Sequence, residues 1–482
     1  MIEYEPVIGM EVHVELQTQS KMFCGCKVDF GGDPNTRCCP VCLGLPGSLP
    51  VVNRRAIELM TKAALALDCN IAPRSIFHRK NYYYPDLPKN YQISQYDNPL
   101  GVNGSVEITV GGRTKKIAVR RVHMEEDTGK LLHVEGNTSH IDYNRSGVPL
   151  MEIVTLNPPP PGLDQIESAE EAREYLQRLR QILLYLGVSD CKMEEGSMRC
   201  EPNISIKPKG QVEFGTKTEI KNLNSFRAVY LGVEYELERQ ERVLREGGKI
   251  VQETRRWDDS RGVTVSMRSK EVEQEYRYFP EPDLVPMEFD EAGIENLRAG
   301  LPELPQAKKA RFVSDYGISE VDADTLIDSP ELAGFYDATA KRSKDPRAVA
   351  NWLTGDFLKL VNASGTAIAD TKLTPDHISG MLDLIENGTI NRNIAKTVFE
   401  EMFNTGKQAS RIVEEKGLKQ VTDTGAIEDA VDAVIAANPK EVERYRGGEE
   451  KLIGFFVGQV MRETKGKANP GVVNELLNEK LR

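Results

Sequence analysis

The hydrophobic pattern of this chain is mainly strand-like in its first part and helical in its last, and that division limits the folds open to it. Up to about residue 290 the chain is rich in segments whose apolar residues recur at every second position. Val7 to Leu16, Ser105 to Val110, Lys116 to Met124 and Leu150 to Thr155 all alternate, with turn residues between them. A period of two gives a strand one apolar face, so these segments predict a sheet buried on one side. Two helices interrupt them. The first opens on Ser168-Ala-Glu-Glu171, the spacing of a capping box, carries Leu176, Leu179, Leu183 and Leu186 on one face, and stops at Gly187. The second runs from about Ser225 to Arg245, with Val229, Val233 and Leu237 on one face, and stops at Gly247-Gly248. Pro158 to Pro161 followed by Gly162 forms a stiff connector. From about Leu301 onward the signals are helical, with start sites at Asp345-Pro346, Thr374-Pro375 and Asn391. Three short helices are expected between Ile427 and Arg482: one ending before Asn438-Pro439, one over Leu452 to Met461, one starting at Asn469-Pro470. Strands first and helices afterwards predict an α+β chain whose large mixed part holds a mostly antiparallel sheet. At roughly 150 residues per domain, 482 residues make about three domains.

Several classes drop out early. No run approaches the roughly eighteen apolar residues of a membrane span. The N-terminus, Met1-Ile-Glu-Tyr-Glu5, is acidic and lacks a basic segment followed by an apolar one, so a cytoplasmic protein is expected. Acids outnumber bases by 74 to 62, a net charge of −12, which argues against coating nucleic acid with bulk positive charge but leaves room for a local basic groove.

Five of the eight cysteines fall between Cys24 and Cys42. Cys24-Gly-Cys26 and Cys39-Pro-Val-Cys42 are two close pairs, and in a reducing compartment such a cluster reads as a metal site. Four thiolates presented by two turns suit tetrahedral, structural zinc with no open position for chemistry. Cys38 adjoins the set and is an alternative to Cys39. Cys69, Cys191 and Cys200 are scattered and read as small core residues.

The alternation also places acids together. On a strand, Glu11, His13 and Glu15 share one face while Val12, Val14 and Leu16 share the other. His123, Glu125 and Asp127 do the same, and Glu152 stands among apolar neighbours in Leu150-Met-Glu-Ile-Val154. A carboxylate in such surroundings needs a cation or hydrogen bonds. Two readings follow: an oxygen-rich Mg2+ site with one imidazole, or the solvated face of an antiparallel sheet. No His-Glu-x-x-His helix, phosphate-binding Gly-x4-Gly-Lys-Ser/Thr loop or dinucleotide Gly-x-Gly-x-x-Gly turn is present. Basic and aromatic residues mix at Arg120-Arg121, Lys217 to Ser225, Arg255 to Asp258 and Tyr276 to Pro280, a composition that suits phosphate contacts and base stacking.

These segments resemble the B subunit of the aspartyl/glutamyl-tRNA(Asn/Gln) amidotransferase. The matching motifs are Gly9-Met-Glu-Val-His-Val-Glu-Leu16, Cys39-Pro-Val-Cys-Leu-Gly-Leu-Pro-Gly47, Lys89-Asn-Tyr-Gln-Ile-Ser-Gln95, His123-Met-Glu-Glu-Asp-Thr-Gly-Lys130, Asp142 to Ile153, Glu219 to Ser225 and Tyr276 to Leu284. The resemblance covers essentially the whole chain. It implies a cradle-shaped catalytic domain over 1–293 with a zinc-binding loop, a helical domain over 294–407 and a helical tail over 408–482 that binds the tRNA body through Arg462, Lys465 and Lys467. It implies a heterotrimer with an amidase (the A subunit), which releases ammonia from glutamine, and with a belt-like C subunit. It also implies an ATP-dependent carbon–nitrogen ligase that phosphorylates and then amidates the side-chain carboxylate of Glu-tRNA(Gln) or Asp-tRNA(Asn). By motif, Glu11, His13, Glu125 and Glu152 become Mg2+ ligands. Glu11, His13, Glu125 and Lys130 become catalytic, and Arg145, Lys221, Asn222 and Asn224 become contacts to ATP or the acyl end. Cys24, Cys26, Cys39 and Cys42 match the zinc-bearing branch of the family.

Overall fold

The computed structural model describes residues 2–133, 138–267, 276–420, 424–464 and 466–481. They fall into two compact units, Met1–Pro305 and Gln306–Arg482.

The strands of the first unit, in chain order, are β1 (Tyr4–Glu15), β2 (Asn70–Ile71), β3 (Arg74–Ser75), β4 (His78–Asn81), β5 (Tyr91–Ser94), β6 (Gly101–Val110), β7 (Arg113–Glu126) and β8 (Lys130–His133). They continue with β9 (Ser139–Asp142), β10 (Pro149–Thr155), β11 (Met198–Pro208), β12 (Thr218–Lys221), β13 (Glu253–Asp258), β14 (Val263–Ser266), β15 (Phe279–Pro280) and β16 (Met287–Glu288). Nine of them form one sheet in the order β14-β13-β12-β11-β1-β10-β7-β6-β2. Its described pairs are antiparallel except β12 with β13. The sequence expectation of a mostly antiparallel sheet followed by helices is met. Small ribbons stand apart: β15-β4-β5, β16-β3 and β8-β9.

β1 lies at the centre, and its register explains both faces. Val12 pairs with Cys200 of β11 and Ile153 of β10, and Val14 with Met198 and Met151. That face is closed by α1 (Arg54–Ala66), α2 (Ala169–Tyr185) and α3 (Phe226–Arg245). Tyr175, Leu176, Leu179 and Leu183 of α2 are buried there with Val229 and Val233 of α3. Each such aliphatic side chain stabilises by about 1.5–3 kcal/mol. Ser168 caps α2 by accepting the Glu171 N–H at 3.1 Å, and Ser225 caps α3 through the Ala228 N–H at 3.0 Å. In the expected capping box the Glu171 carboxylate would return to the Ser168 N–H; instead it accepts from the Glu167 N–H, one residue earlier.

The inner stripe of α3 turns polar after Val233. Glu236 is 0 % exposed, accepts from Thr264 at 2.9 Å and Gln240 at 3.0 Å, and pairs with Arg239 and Arg255. Arg255 and the buried Trp257 are therefore structural, and neither is available to stack on a base.

After the short α4 (Glu291–Ala299), the rest is helical: α5 (Pro305–Tyr316), α6 (Glu320–Leu326), α7 (Pro330–Ala340), α8 (Pro346–Trp352), a π-helical turn over Leu353–Phe357, α9 (Leu358–Ser364), α10 (Pro375–Glu386), α11 (Arg392–Thr405) and α12 (Ala409–Glu415). Asp345, Thr374 and Asn391 are the N-caps that the sequence predicts. α13 (Thr424–Ala437), α14 (Pro439–Arg446), α15 (Ile453–Glu463) and α16 (Pro470–Leu481) follow, and share a core of Ile427, Val431, Phe456, Val460, Val473 and Leu477. The sequence expects three helices over this last stretch, and the described residues contain four α-helices and a short 3-10 turn over Glu450–Leu452. Asn438-Pro439 ends α13 and also starts α14, because proline cannot continue one helix yet fits the first turn of the next. No described helix is long and apolar enough to cross a membrane.

Candidate active site

The face of the sheet opposite Val12 and Val14 gathers the polar residues. His13 lies opposite Glu152 of β10 on one side and Arg199 of β11 on the other. Glu11 lies opposite Glu201, Glu152 opposite His123 of β7, and Asn203 opposite Glu219 of β12. Five adjacent strands thus present acids, imidazoles and cations to one side. This is the arrangement that period-two alternation produces when every strand keeps one register.

At its centre, His13, Glu125 and Glu152 each offer a ligand atom, all within 4.8 Å of one another. His13 Nε2 is 3.5 Å from Glu152 Oε2, and His123 Nε2 is 3.1 Å from the same oxygen and 3.4 Å from Glu125 Oε1. Ser94 donates to Glu125 Oε1 at 2.7 Å, Gln92 to Oε2 at 3.2 Å, and Lys80 Nζ stands 3.6 Å from Oε1. Burial disfavours charge on Glu125, but Lys80 and His123 outweigh it and hold the carboxyl at about 2. Glu152 is buried as well, and the two histidines hold it far below the usual range. His13 and His123 are raised: burial lowers them, and Glu152 more than compensates. Two ionised carboxylates and an imidazole at this spacing fit a divalent cation such as Mg2+, and the nitrogen donor also admits Mn2+.

Glu11, expected as a ligand, lies outside this tight group. Asn203 donates to its Oε1 at 3.1 Å, and burial followed by Glu152 and Glu201 raises its pKa. Next to the group sits a second network. Arg145 Nε is 2.9 Å from Glu15 Oε1 and 2.7 Å from Asp127 Oδ2, and Arg199 Nη2 reaches the same Asp127 oxygen at 2.9 Å. Burial and Asp127 push Glu15 up to about 7. Arg145 Nη2 and Arg199 Nε are buried without a hydrogen-bond partner, so each arginine has a spare donor for an anion.

The remaining expected residues are spread out. Lys221 pairs with Glu201 at 2.7 Å and Glu219 at 3.0 Å. Asn222 takes a left-handed φ of 68° and donates its amide to the Trp257 carbonyl at 3.1 Å, and Asn224 is exposed beyond it. Lys130 is exposed at the start of the β8–β9 ribbon. Sequence reasoning misses Lys80, Gln92, Ser94, Arg199 and Glu201 as site residues. Arg199-x-Glu201-x-Asn203 carries the same alternation as Glu11-x-His13-x-Glu15 and is a usable signal. Gln92 and Ser94 lie in the motif Lys89 to Gln95, but nothing in the sequence sets that motif or Lys80 against Glu125, since they arrive on a separate small sheet. The aromatic segments meet beside it: Tyr96 stacks on Tyr278 at 4.3 Å, and Lys80 Nζ lies 5.1 Å from the Tyr276 ring centre.

The cysteines form a second group. Cys24, Cys26, Cys39 and Cys42 bring their sulfurs within 4.8 Å of one another, and Cys38 stays outside. Cys42 is the most buried of them and accepts from the Cys39 N–H at 3.1 Å. Its hydrogen bond with Cys24 is the main reason that its thiol sits at about 4, while the same bond raises Cys24. Four sulfurs at this spacing fit a tetrahedral metal.

A family model described as "GatB/GatE catalytic domain" matches residues 6–295, and one described as "GatB domain" matches residues 334–481. The chain belongs to the GatB/GatE family. Both donor groups fall inside the part matched to the GatB/GatE catalytic domain. The chain is 57% identical to the B subunit of the aspartyl/glutamyl-tRNA(Asn/Gln) amidotransferase of Carboxydothermus hydrogenoformans, covering 100% of this chain and 99% of that one. It is 55% identical to the protein of the same name from Moorella thermoacetica, covering 100% of both, and 52% identical to that from Persephonella marina, again over 100% of both.

Proposed function

We propose that this chain is the ATP-using, acyl-transferring component of a tRNA-dependent amidotransferase. The side-chain carboxylate of misacylated Glu-tRNA(Gln) or Asp-tRNA(Asn) takes the γ-phosphoryl group of ATP, giving ADP and an acyl phosphate. Ammonia then displaces phosphate and leaves Gln-tRNA(Gln) or Asn-tRNA(Asn). A carboxylate is a poor acyl donor to ammonia, and phosphorylation supplies the leaving group. The result is an ATP-dependent carbon–nitrogen ligase with glutamine as nitrogen donor. The reading is carried by the His13–Glu125–Glu152 group with two arginines beside it that keep spare buried donors.

In this reading His13, Glu125 and Glu152 hold Mg2+, with Glu11 at the edge of the set, and the ion supplies charge neutralisation on the phosphates. Arg145 and Arg199 bind phosphate oxygens through their free N–H groups. Lys221 and Asn224 contact ATP or the acyl end, Asn222 shapes the turn that presents them, and Lys130 reaches in from its ribbon. The four cysteines hold a structural zinc. The names of the relatives imply an enzyme of several different chains. The partners proposed here are the amidase (the A subunit) and the C subunit of a heterotrimer, in the cytoplasm. The division into 1–293, 294–407 and 408–482 belongs to the same reading, with Arg462 and Lys467 of the tail on the tRNA body; Lys465 lies outside the described residues.

A zinc-stabilised adaptor that only holds tRNA for a partner would need no such donor group. The reconstituted heterotrimer should consume ATP only when Glu-tRNA(Gln) or Asp-tRNA(Asn) is supplied. Amidation without ATP consumption would leave the adaptor reading.

A further inference from the structure

Lys21 is 1 % exposed, among the largest fully buried side chains of the chain. A buried ammonium is costly unless an anion stands beside it. Among the described residues no carboxylate comes within 4.0 Å of Lys21 Nζ. Glu126, which lines the same recess, is engaged by Lys89. What Lys21 does reach is the Tyr143 carbonyl at 3.1 Å and Cys42 Sγ at 3.7 Å. Its backbone N–H donates to the Cys26 carbonyl at 2.9 Å. One residue is thus fastened to the first thiol pair by its main chain and to the second by its side chain.

Four thiolates around a divalent zinc leave two negative charges in a partly buried loop. An ammonium beside the most buried sulfur offsets one of them, and groups that donate to metal ligands fix their orientation and basicity. We propose that Lys21 is the built-in countercharge of the metal-loaded four-cysteine site, donating a hydrogen bond to Cys42 Sγ, so that metal loading and burial of Lys21 stabilise each other. The inference rests on the zinc reading of the four cysteines.

The test uses the full chain with zinc content, chelator competition and melting as readouts. Lys21→Met should release zinc to a chelator on the order of ten- to a hundred-fold more readily than wild type, and Lys21→Arg, which keeps the charge, should recover most of the loss. Stripping zinc should lower the melting temperature of wild type more than that of Lys21→Met, because the form that holds the metal more tightly loses more stability with it. Should Lys21→Met fail to fold, amine acylation of wild type followed by mass spectrometry gives the answer: Lys21 should be labelled after zinc removal and protected before it. Equal zinc retention by wild type and Lys21→Met, or equal protection with and without zinc, overturns the countercharge role alone. Wild type purified without zinc overturns the zinc reading and this inference with it.

Discussion

His123 and Glu152 face each other across the pairing of β7 with β10, and their Nε2 and Oε2 atoms are 3.1 Å apart. His123 titrates above its usual 6.5 in the fold, so its contribution is full below 6.5 and fades as pH rises through the folded value. Glu152 titrates below its usual 4.5, so its share is present above 4.5 and fades only in stronger acid. With chelator present, wild type should therefore exceed Glu152→Gln in stability by about 3 kcal/mol between these two values, as expected for breaking a buried pair. The gap should narrow toward alkaline pH. Melting curves across the pH range check this, and a gap independent of pH would count against the charged pairing.

Loss of His13 should remove ATP-dependent phosphorylation of the acylated tRNA by at least about a hundred-fold, the scale of losing a positioned catalytic group. Glu11→Ala should also impair it. Glutamine hydrolysis by the partner should continue in both. Single-turnover assays with labelled ATP on the reconstituted heterotrimer separate the two steps, and full phosphorylation in His13→Ala would remove the metal assignment.

Glu236 has no solvent exposure and holds Arg239, Arg255, Gln240 and Thr264. Glu236→Ala strands the Arg239 guanidinium, while Arg255 keeps Glu253 at 2.6 Å, and should cost about 3 kcal/mol. Urea unfolding of the first unit's signal within the full chain measures it. A change under about 1 kcal/mol would mean that water replaces the carboxylate there.

Cys39 belongs to the four-sulfur group and Cys38 does not. Cys39→Ser should lose bound zinc and lower the melting temperature, whereas Cys38→Ser should retain the metal. Elemental analysis of both purified variants distinguishes them, and the reverse pattern would assign the ligand to Cys38.

α12 packs against α10 and α11, whereas the core of α13 to α16 begins at Ile427. Ending the chain after Gln420 should therefore weaken tRNA binding about ten-fold or more through lost phosphate contacts, with ATP binding by the first unit preserved. Filter binding at fixed salt reports the first and nucleotide titration the second.

Much of this molecule is written in local pattern. Alternation alone gives β1, β7 and β10 their two faces, and the caps Ser168, Ser225, Asp345 and Asn391 mark helix starts because a side-chain oxygen next to free N–H groups acts within three residues. The two cysteine pairs are likewise local turns. Asn438-Pro439 shows the limit of such reading, since one signal both stops and starts a helix.

What the linear order does not contain is which strands become neighbours. β10 reaches β1 from about 140 residues away and β11 from nearly 190, and only that pairing sets Glu152 and Arg199 against His13. The same assembly brings Lys80, Gln92 and Ser94 onto Glu125, buries Lys21 against Cys42, and withdraws Glu11 from the tight donor group. Sequence determined the faces and the donor types, because side-chain direction follows backbone period. Tertiary structure decided the partners, because charge and hydrogen bonding depend on distances that only strand register fixes.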